Sequence, residues 1–151
     1  TDGGAYVSGY LADGLPRPAP MVDGLDVPYW EGLAAEQIKL QHCGNCAAWQ
    51  WGPEWICHKC HSHDVAFEEV APNGRIYSYE RVWHPVHPAL KDQGPYIVVL
   101  VEIPHAGNVR MVGNLLGDPQ QKVEYGAAVN AVFEHHVDGE ARWTLLQWEI
   151  A

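Results

Sequence analysis

Cys43-Gly44-Asn45-Cys46 and Cys57-His58-Lys59-Cys60 are two C-x-x-C pairs separated by ten residues. Two residues between paired cysteines let both sulfurs reach one ion from a tight turn, and zinc favours four tetrahedral ligands. Four thiolates leave no open position for water, so we expect a structural zinc site in a ribbon hairpin. Its ligands are Cys43, Cys46, Cys57 and Cys60. Iron is the chemical rival, because four thiolates in a tetrahedron accept it too.

Histidines and tryptophans crowd the same region. The histidines are surplus as ligands once four thiolates are present, and we interpret them as exposed or as supporting the site: His42, His58, His61 and His63. The tryptophans either cover a small module or present an apolar face to another protein. Both interpretations stay open for Trp49, Trp51 and Trp55.

Five segments after the cysteines have strand character, and turn residues separate them. Residues 96–103 form a nearly continuous β-branched apolar run, which indicates a strand buried on both faces. The five predicted strands are residues 75–83, 96–103, 109–116, 128–135 and 142–149. Five short strands favour a closed or partly open barrel of the oligonucleotide/oligosaccharide-binding (OB) topology.

The residues before the cysteines divide into two parts. Residues 1–27 contain five glycines and three prolines without a hydrophobic period, which predicts an irregular arm. Apolar residues then follow helical spacing after Pro28, which suits a first helical turn, and predict a helix over residues 28–37. The protein is therefore predicted to be mainly β, with an arm at 1–27, a helix plus zinc ribbon at 28–66 and an OB-fold domain at 67–151.

Composition restricts the partners. The formal net charge is −10 at pH 7, and no cluster of lysine and arginine is visible, which argues against nucleic acid. The longest apolar run, residues 97–101, is far shorter than a membrane span, and no signal peptide is evident after Thr1. Paired cysteines without an export signal favour a reducing compartment. We expect a cytoplasmic protein.

A search for a reactive centre finds little. All four cysteines are assigned to the metal, and Ser8, Ser62 and Ser78 lie outside any G-x-S-x-G context. The segment His84-Pro-Val-His87-Pro places two imidazoles in a proline-stiffened loop between the first two barrel strands. They are either proton shuttles or hydrogen-bond donors at a shared site, or ordinary surface residues.

Several motifs in a fixed order resemble those of the zinc-ribbon/OB-fold proteins that accompany thiolase-superfamily enzymes, long described only as a domain of unknown function. The resemblance covers about residues 28–150. Besides the four cysteines, it depends on Pro28-Tyr29-Trp30-Glu31, Gly74-Arg-Ile-Tyr-Ser78, Val82-Trp-His84-Pro85, Pro95-Tyr-Ile-Val-Val-Leu-Val-Glu102, Arg110-Met-Val-Gly-Asn114 and Gly126-Ala-Ala-Val129.

The chain departs from the family pattern after each cysteine pair. Gly usually follows the second cysteine and Gly-Ser the fourth, but Ala47 and His61-Ser62 stand in those places; His58 stands where Pro is usual. If residue 47 adopts a left-handed conformation, Ala costs about 1–2 kcal/mol more than Gly there.

The resemblance implies an accessory subunit. Such proteins bind a thiolase-fold enzyme, either a thiolase or a retro-aldolase, and help to form or gate its acyl-CoA site, while the partner supplies the catalytic residues. We expect Tyr29 and Trp30 to dock the partner, and His84 and His87 to line the shared site. Three alternatives are a single-stranded nucleic-acid-binding OB protein, a rubredoxin-like electron carrier and a freestanding acyl-CoA hydrolase or binding protein.

Overall fold

The computed structural model describes residues 14–15, 18–20 and 24–151. This part of the chain holds one α-helix, eight strands and two short 3-10 turns. The helix is α1 (Val27–Ala34). The strands are β1 (Ile38–Cys43), β2 (Trp49–Gln50), β3 (Val65–Val70), β4 (Asn73–Val82), β5 (Tyr96–Ile103), β6 (Val109–Asn114), β7 (Ala128–Asp138) and β8 (Ala141–Ile150).

Helix α1 is shorter than the predicted 28–37. Proline occupies its first turn, as expected, and Tyr29 and Leu33 turn toward the core. The helix ends because Glu36 has a positive φ of 58°, and the Gln37 amide then donates to the Gly32 carbonyl. A residue in the left-handed region with a bond of this kind terminates a helix. Residues 36 and 37 are therefore outside the helix.

A three-stranded antiparallel sheet with the order β2-β1-β3 carries the cysteine pairs. Its strands were not among the five predicted. Strand β1 is buried on both faces although it contains Gln41 and His42, so neither an alternating nor an apolar pattern marks it. Strand β3 pairs with β1 along its whole length, from Ile38 opposite Val70 to Cys43 opposite Val65.

The five predicted strands form the second sheet, in the order β6-β5-β4-β7-β8. Strands β6 and β8 approach each other at a single parallel bridge, between Leu115 and Trp148, where the Leu116 amide donates to the Trp148 carbonyl at 2.8 Å. Gly113 allows this approach, since a Cβ there would lie 2.7 Å from the Trp148 ring. The sheet is thus a partly open barrel, consistent with the predicted OB fold.

One hydrophobic core joins the helix, the ribbon sheet and the barrel. Leu33, Ile38 and Leu40 belong to the same buried cluster as the barrel residues Val99 and Trp148. All five side chains are essentially inaccessible to solvent. Movement of the ribbon would therefore disturb the barrel core.

The predicted 1–27 arm lies largely outside the described residues. Its described parts are residues 14–15, 18–20 and 24–27, and among them only Val27 belongs to a helix or strand, as the first residue of α1. The division at 1–27, 28–66 and 67–151 stays a prediction.

Glu102 is a buried charge near the end of strand β5. Its carboxylate accepts hydrogen bonds from Arg75 on β4, at 3.0 Å from Nε, and from Arg110 on β6, at 3.2 Å. The Arg110 guanidinium also lies 3.5 Å from the ring centroid of Tyr77. These arginines, Arg75 first, lower the pKa of Glu102. The ion pairs tie three strands together on their outer face.

Replacing Glu102 tests this network. Because its folded pKa is below the ordinary value of about 4.3, its ionised form stabilises the protein above that pH, and the stabilisation is lost as pH falls through the folded pKa. We expect Glu102→Gln to be less stable than wild type in urea at about pH 7, with the difference closing toward about pH 3.

Glu149→Gln, at an exposed position on β8, is the matched control. This variant and Glu102→Gln lose metal from the cysteine site in acid to the same extent. It should remain close to wild type at both pH values. A Glu102→Gln deficit that is equally large at about pH 3 would contradict the assignment.

Candidate metal centre and docking surface

The four predicted cysteines lie together at one end of the ribbon sheet. All four sulfur atoms are within 4.8 Å of one another, and the Cys43–Cys60 and Cys46–Cys57 sulfur pairs are each 3.6 Å apart. A tetrahedron with zinc–sulfur bonds of about 2.3 Å requires sulfurs about 3.8 Å apart. The site therefore fits one zinc ion held by thiolates alone, which makes it structural.

Hydrogen bonds favour the thiolate form that a metal requires. The Asn45 side-chain amide donates to the Cys60 sulfur at 3.5 Å and, as the main cause, lowers the pKa of Cys60 to about 6. At Cys46 the backbone of Ala48 favours the thiolate, but burial and the other sulfurs outweigh it and raise the pKa to about 12. Four thiolates at this spacing thus need a cation among them.

Each cysteine pair ends in a left-handed residue. Ala47 has φ 57° and His61 has φ 61°. The turns are closed by hydrogen bonds from the Ala47 amide to the Cys43 carbonyl at 2.8 Å and from the His61 amide to the Cys57 carbonyl at 2.9 Å. Residues other than glycine are strained in this conformation, because their Cβ lies too close to the following carbonyl oxygen. The departures from the family pattern therefore place strain at both turns.

Removing the Ala47 side chain should relieve one of these strains. We expect Ala47→Gly to raise the free energy of unfolding by about 1 kcal/mol, the net of relieved strain and the added freedom of the unfolded chain. Urea denaturation at a fixed free-zinc concentration measures the change.

Ala66→Gly, on the exposed face of strand β3, is the matched control. There the same substitution should cost about 0.5–1 kcal/mol, because glycine weakens a strand interior. An Ala47→Gly variant no more stable than wild type would contradict the account.

Buried glutamines, not histidines, shape the loop between the cysteine pairs. Gln50 donates to the Gln41 side chain at 2.8 Å and to the Ile56 carbonyl at 3.1 Å, while Gln41 accepts from the Glu54 amide at 2.9 Å. His58 bonds to Gln50 through its backbone amide and its ring. The other nearby imidazoles also lie outside the four-sulfur group.

Trp49 and Trp51 pack against the common core, whereas Trp55 is 69% exposed. Trp49 also stacks on His42, with ring centroids 4.3 Å apart. A Cβ at Gly107, two residues before β6, would lie 3.2 Å from the Trp49 side chain. Trp49 and Trp51 therefore cover the ribbon module. The ring of Trp55 remains largely exposed in the described part of the chain.

Tyr29 and Trp30 lie at a cleft between helix α1, the end of β6 and the middle of β8, which we call the docking surface because the sequence predicts partner contact there. The cleft contains a cavity of about 270 Å³. Tyr29 is only 6% exposed, and burial raises its pKa. Trp30 is half-buried, and its indole N–H donates to Asp26 Oδ2 at 2.7 Å. Of the two, Trp30 has the greater surface for direct contact.

The structure places His84 and His87 apart from this cleft, in the long connection between β4 and β5. Both imidazoles are exposed. His87 accepts a hydrogen bond from the Ala89 amide at 3.2 Å. Their neighbours Trp83 and Val86 are 53% and 99% exposed, so the loop presents apolar side chains as well. The sequence analysis assigns no role to Trp83 or Val86, although an apolar residue in a proline-rich loop is a usable signal of an exposed apolar surface.

The fold and the metal centre define the chain as a four-cysteine zinc ribbon joined to an OB-type sheet. Its sequence matches the rubredoxin-like zinc ribbon domain of ChsH2 over residues 30–66 and the C-terminal OB-fold domain of ChsH2 over residues 67–134. The chain belongs to this family, also called DUF35. The resemblance inferred from the sequence is therefore confirmed.

Two solved structures share the fold. One, titled "Ltp2-ChsH2(DUF35) aldolase", superposes with a TM-score of 0.72 at 30% identity, over 87% of this chain and 98% of that chain. The other, a DUF35-family protein of unknown function from Sulfolobus solfataricus, gives a TM-score of 0.58 at 15% identity over 85% and 87%. The second likeness concerns the fold alone.

A curated relative is longer than this chain. It is named "Probable enoyl-CoA hydratase alpha subunit", comes from Thermomonospora curvata, and is 34% identical over 113 residues. The match covers 75% of this chain but only 34% of that protein.

Within the described residues, no helix has the length and apolar character needed to cross a bilayer.

Proposed function

We propose that the chain is a non-catalytic accessory subunit of a thiolase-superfamily enzyme, a thiolase or a retro-aldolase, that acts on an acyl-CoA. The observation that carries the proposal is the 30% identity to a chain of a structure titled as an aldolase, over 98% of that chain. The name of the curated relative, which refers to a subunit and a CoA substrate, agrees.

The chemistry of the described residues supports a scaffold. All four thiols converge on the metal centre, which removes the best nucleophiles of the chain from catalysis. Ser62 and Ser78 stay without an activating motif, and Ser62 Oγ accepts a hydrogen bond from the Asp64 amide. A partner would therefore supply the reactive groups. Four reduced cysteines also favour the cytoplasm.

Two surfaces are assigned to the complex. The docking surface, with Trp30 as its main contact, binds the thiolase-fold subunit, because a half-buried tryptophan beside a cavity is typical of residues that dominate binding. The exposed loop with His84 and His87 lines the shared acyl-CoA site, where an imidazole can donate or accept a proton near pH 7. Both assignments extend the hypotheses made from the sequence.

Affinity and turnover separate these roles. With the partner recovered from the native source, we expect Trp30→Ala to weaken binding at least about tenfold, as truncation of an anchoring tryptophan does. Trp55→Ala, in the ribbon loop, should bind like wild type. Isothermal titration measures the affinity, and thermal unfolding verifies that each variant is folded.

His84→Ala and His87→Ala should keep wild-type affinity but lower kcat of the complex. Recovery of a partner without a thiolase fold would overturn the proposal. So would equal losses for Trp30→Ala and Trp55→Ala, because the docking surface would then carry no special share of the binding.

A further inference from the structure

A short stretch of the arm lies against the docking surface. Residues 18–20, which we call the strap, have the sequence Pro18-Ala19-Pro20. The Trp143 indole N–H donates a hydrogen bond to the Pro18 carbonyl at 2.8 Å. Pro18 also lines the cavity of about 270 Å³ together with Tyr29 and Trp30. The strap therefore forms one wall of the cleft that the proposed function assigns to the partner.

The composition of the strap explains how it is held. Neither Pro18 nor Pro20 has a backbone N–H, so the strap cannot extend a strand ladder, whereas its carbonyls remain acceptors. Extended proline-rich segments bind to aromatic grooves in this way. Trp143, whose ring lies 5.4 Å from that of His136 near the start of β8, provides the indole donor.

The strap is also lightly held. Pro18 and Ala19 are exposed, and within the described residues the Trp143 bond is the hydrogen bond that joins the strap to the barrel. Loss of one hydrogen bond of ordinary net strength would shift the equilibrium between the closed and the open strap about two- to tenfold. The strap can therefore open without disturbing the core.

The space beneath the strap suits an extended segment. Within the described residues, β6 pairs only with β5 and β8 only with β7, apart from the bridge between Leu115 and Trp148. The cavity lies between these two strands and is lined by Val112–Asn114 on one side and Leu145–Gln147 on the other. Edges of this kind accept extended chains through their backbone groups.

We propose that the strap covers the docking surface in the free subunit and that binding of the catalytic partner displaces it. This inference rests on the proposed function and adds to it a competition between residues 18–20 and the partner for the same cleft. Trp143 is the latch, because it donates to the strap and lies outside the cavity wall.

Two full-length variants test the latch in different ways. Trp143→Phe keeps a ring but removes the indole donor, whereas Pro18→Gly/Pro20→Gly keeps Trp143 and loosens the strap. The first readout needs no partner: in ¹⁵N-labelled protein, exchange of the Trp143 indole proton with solvent should become about two- to tenfold faster in Pro18→Gly/Pro20→Gly. Unchanged exchange overturns the inference.

The second readout is affinity for the recovered partner. Both variants should bind about two- to tenfold more tightly than wild type, because the partner no longer has to displace a latched strap. Trp55→Phe is the control and should bind like wild type. Weaker or unchanged binding of both variants overturns the proposed competition between the strap and the partner. Residues 18–20 would then support docking or be irrelevant to it.

Failure of the proposed function looks different. If neither wild type nor any variant binds a thiolase-fold subunit, the partner assignment is wrong. The strap then has no partner to compete with. The exchange readout would still report whether the bond between Trp143 and Pro18 forms. A thermal unfolding midpoint close to that of wild type in both variants excludes misfolding as the cause of any change in affinity or exchange rate.

Discussion

The constraint on which this structure depends is the charge of four sulfurs held within 4.8 Å of one another. Four thiolates at that distance repel one another, and burial together with the neighbouring sulfurs raises the pKa of Cys46. A zinc ion converts the repulsion into binding, which is why metal and fold are coupled in such ribbons. An ion bound by all four sulfurs holds the two cysteine turns together.

The effect of the metal reaches the barrel because the two sheets share one core. The cysteine turns position β1, whose Ile38 and Leu40 pack in the same cluster as the barrel strands and Leu33 of the helix. Helix α1 in turn carries Trp30 to the cleft between β6 and β8. The metal centre is thus linked, through one shared core, to the cleft beside Trp30.

Local patterns predicted much of this structure. Metal-ligand spacing identified the four cysteines, and apolar periodicity identified five strands, because both signals lie within short stretches. The strands of the ribbon sheet were missed, since Gln41 is buried for its hydrogen bonds to the loop and not for apolar character. The end of α1 depends on one positive φ at Glu36, which no hydrophobic pattern contains.

Contacts between distant residues were beyond sequence patterns. The bond between Trp143 and Pro18 joins positions 125 residues apart, and the pairing of Glu102 with Arg75 spans 27 residues. The sequence also suggested Tyr29 as a contact residue without indicating that its ring would lie in the core. Only the packing of the helix against the barrel shows that Trp30 has the more accessible ring of the two.

The central claim is that this zinc-held scaffold shapes an acyl-CoA site whose reactive groups belong to another subunit. Its most direct test is the rate of carbon–carbon bond formation or cleavage on acyl-CoA substrates by the zinc-loaded chain, the partner and their mixture. We expect no turnover by the chain alone and a higher kcat for the mixture than for the partner alone. Turnover by the isolated chain, above that of a Cys60→Ser preparation lacking zinc, would contradict it.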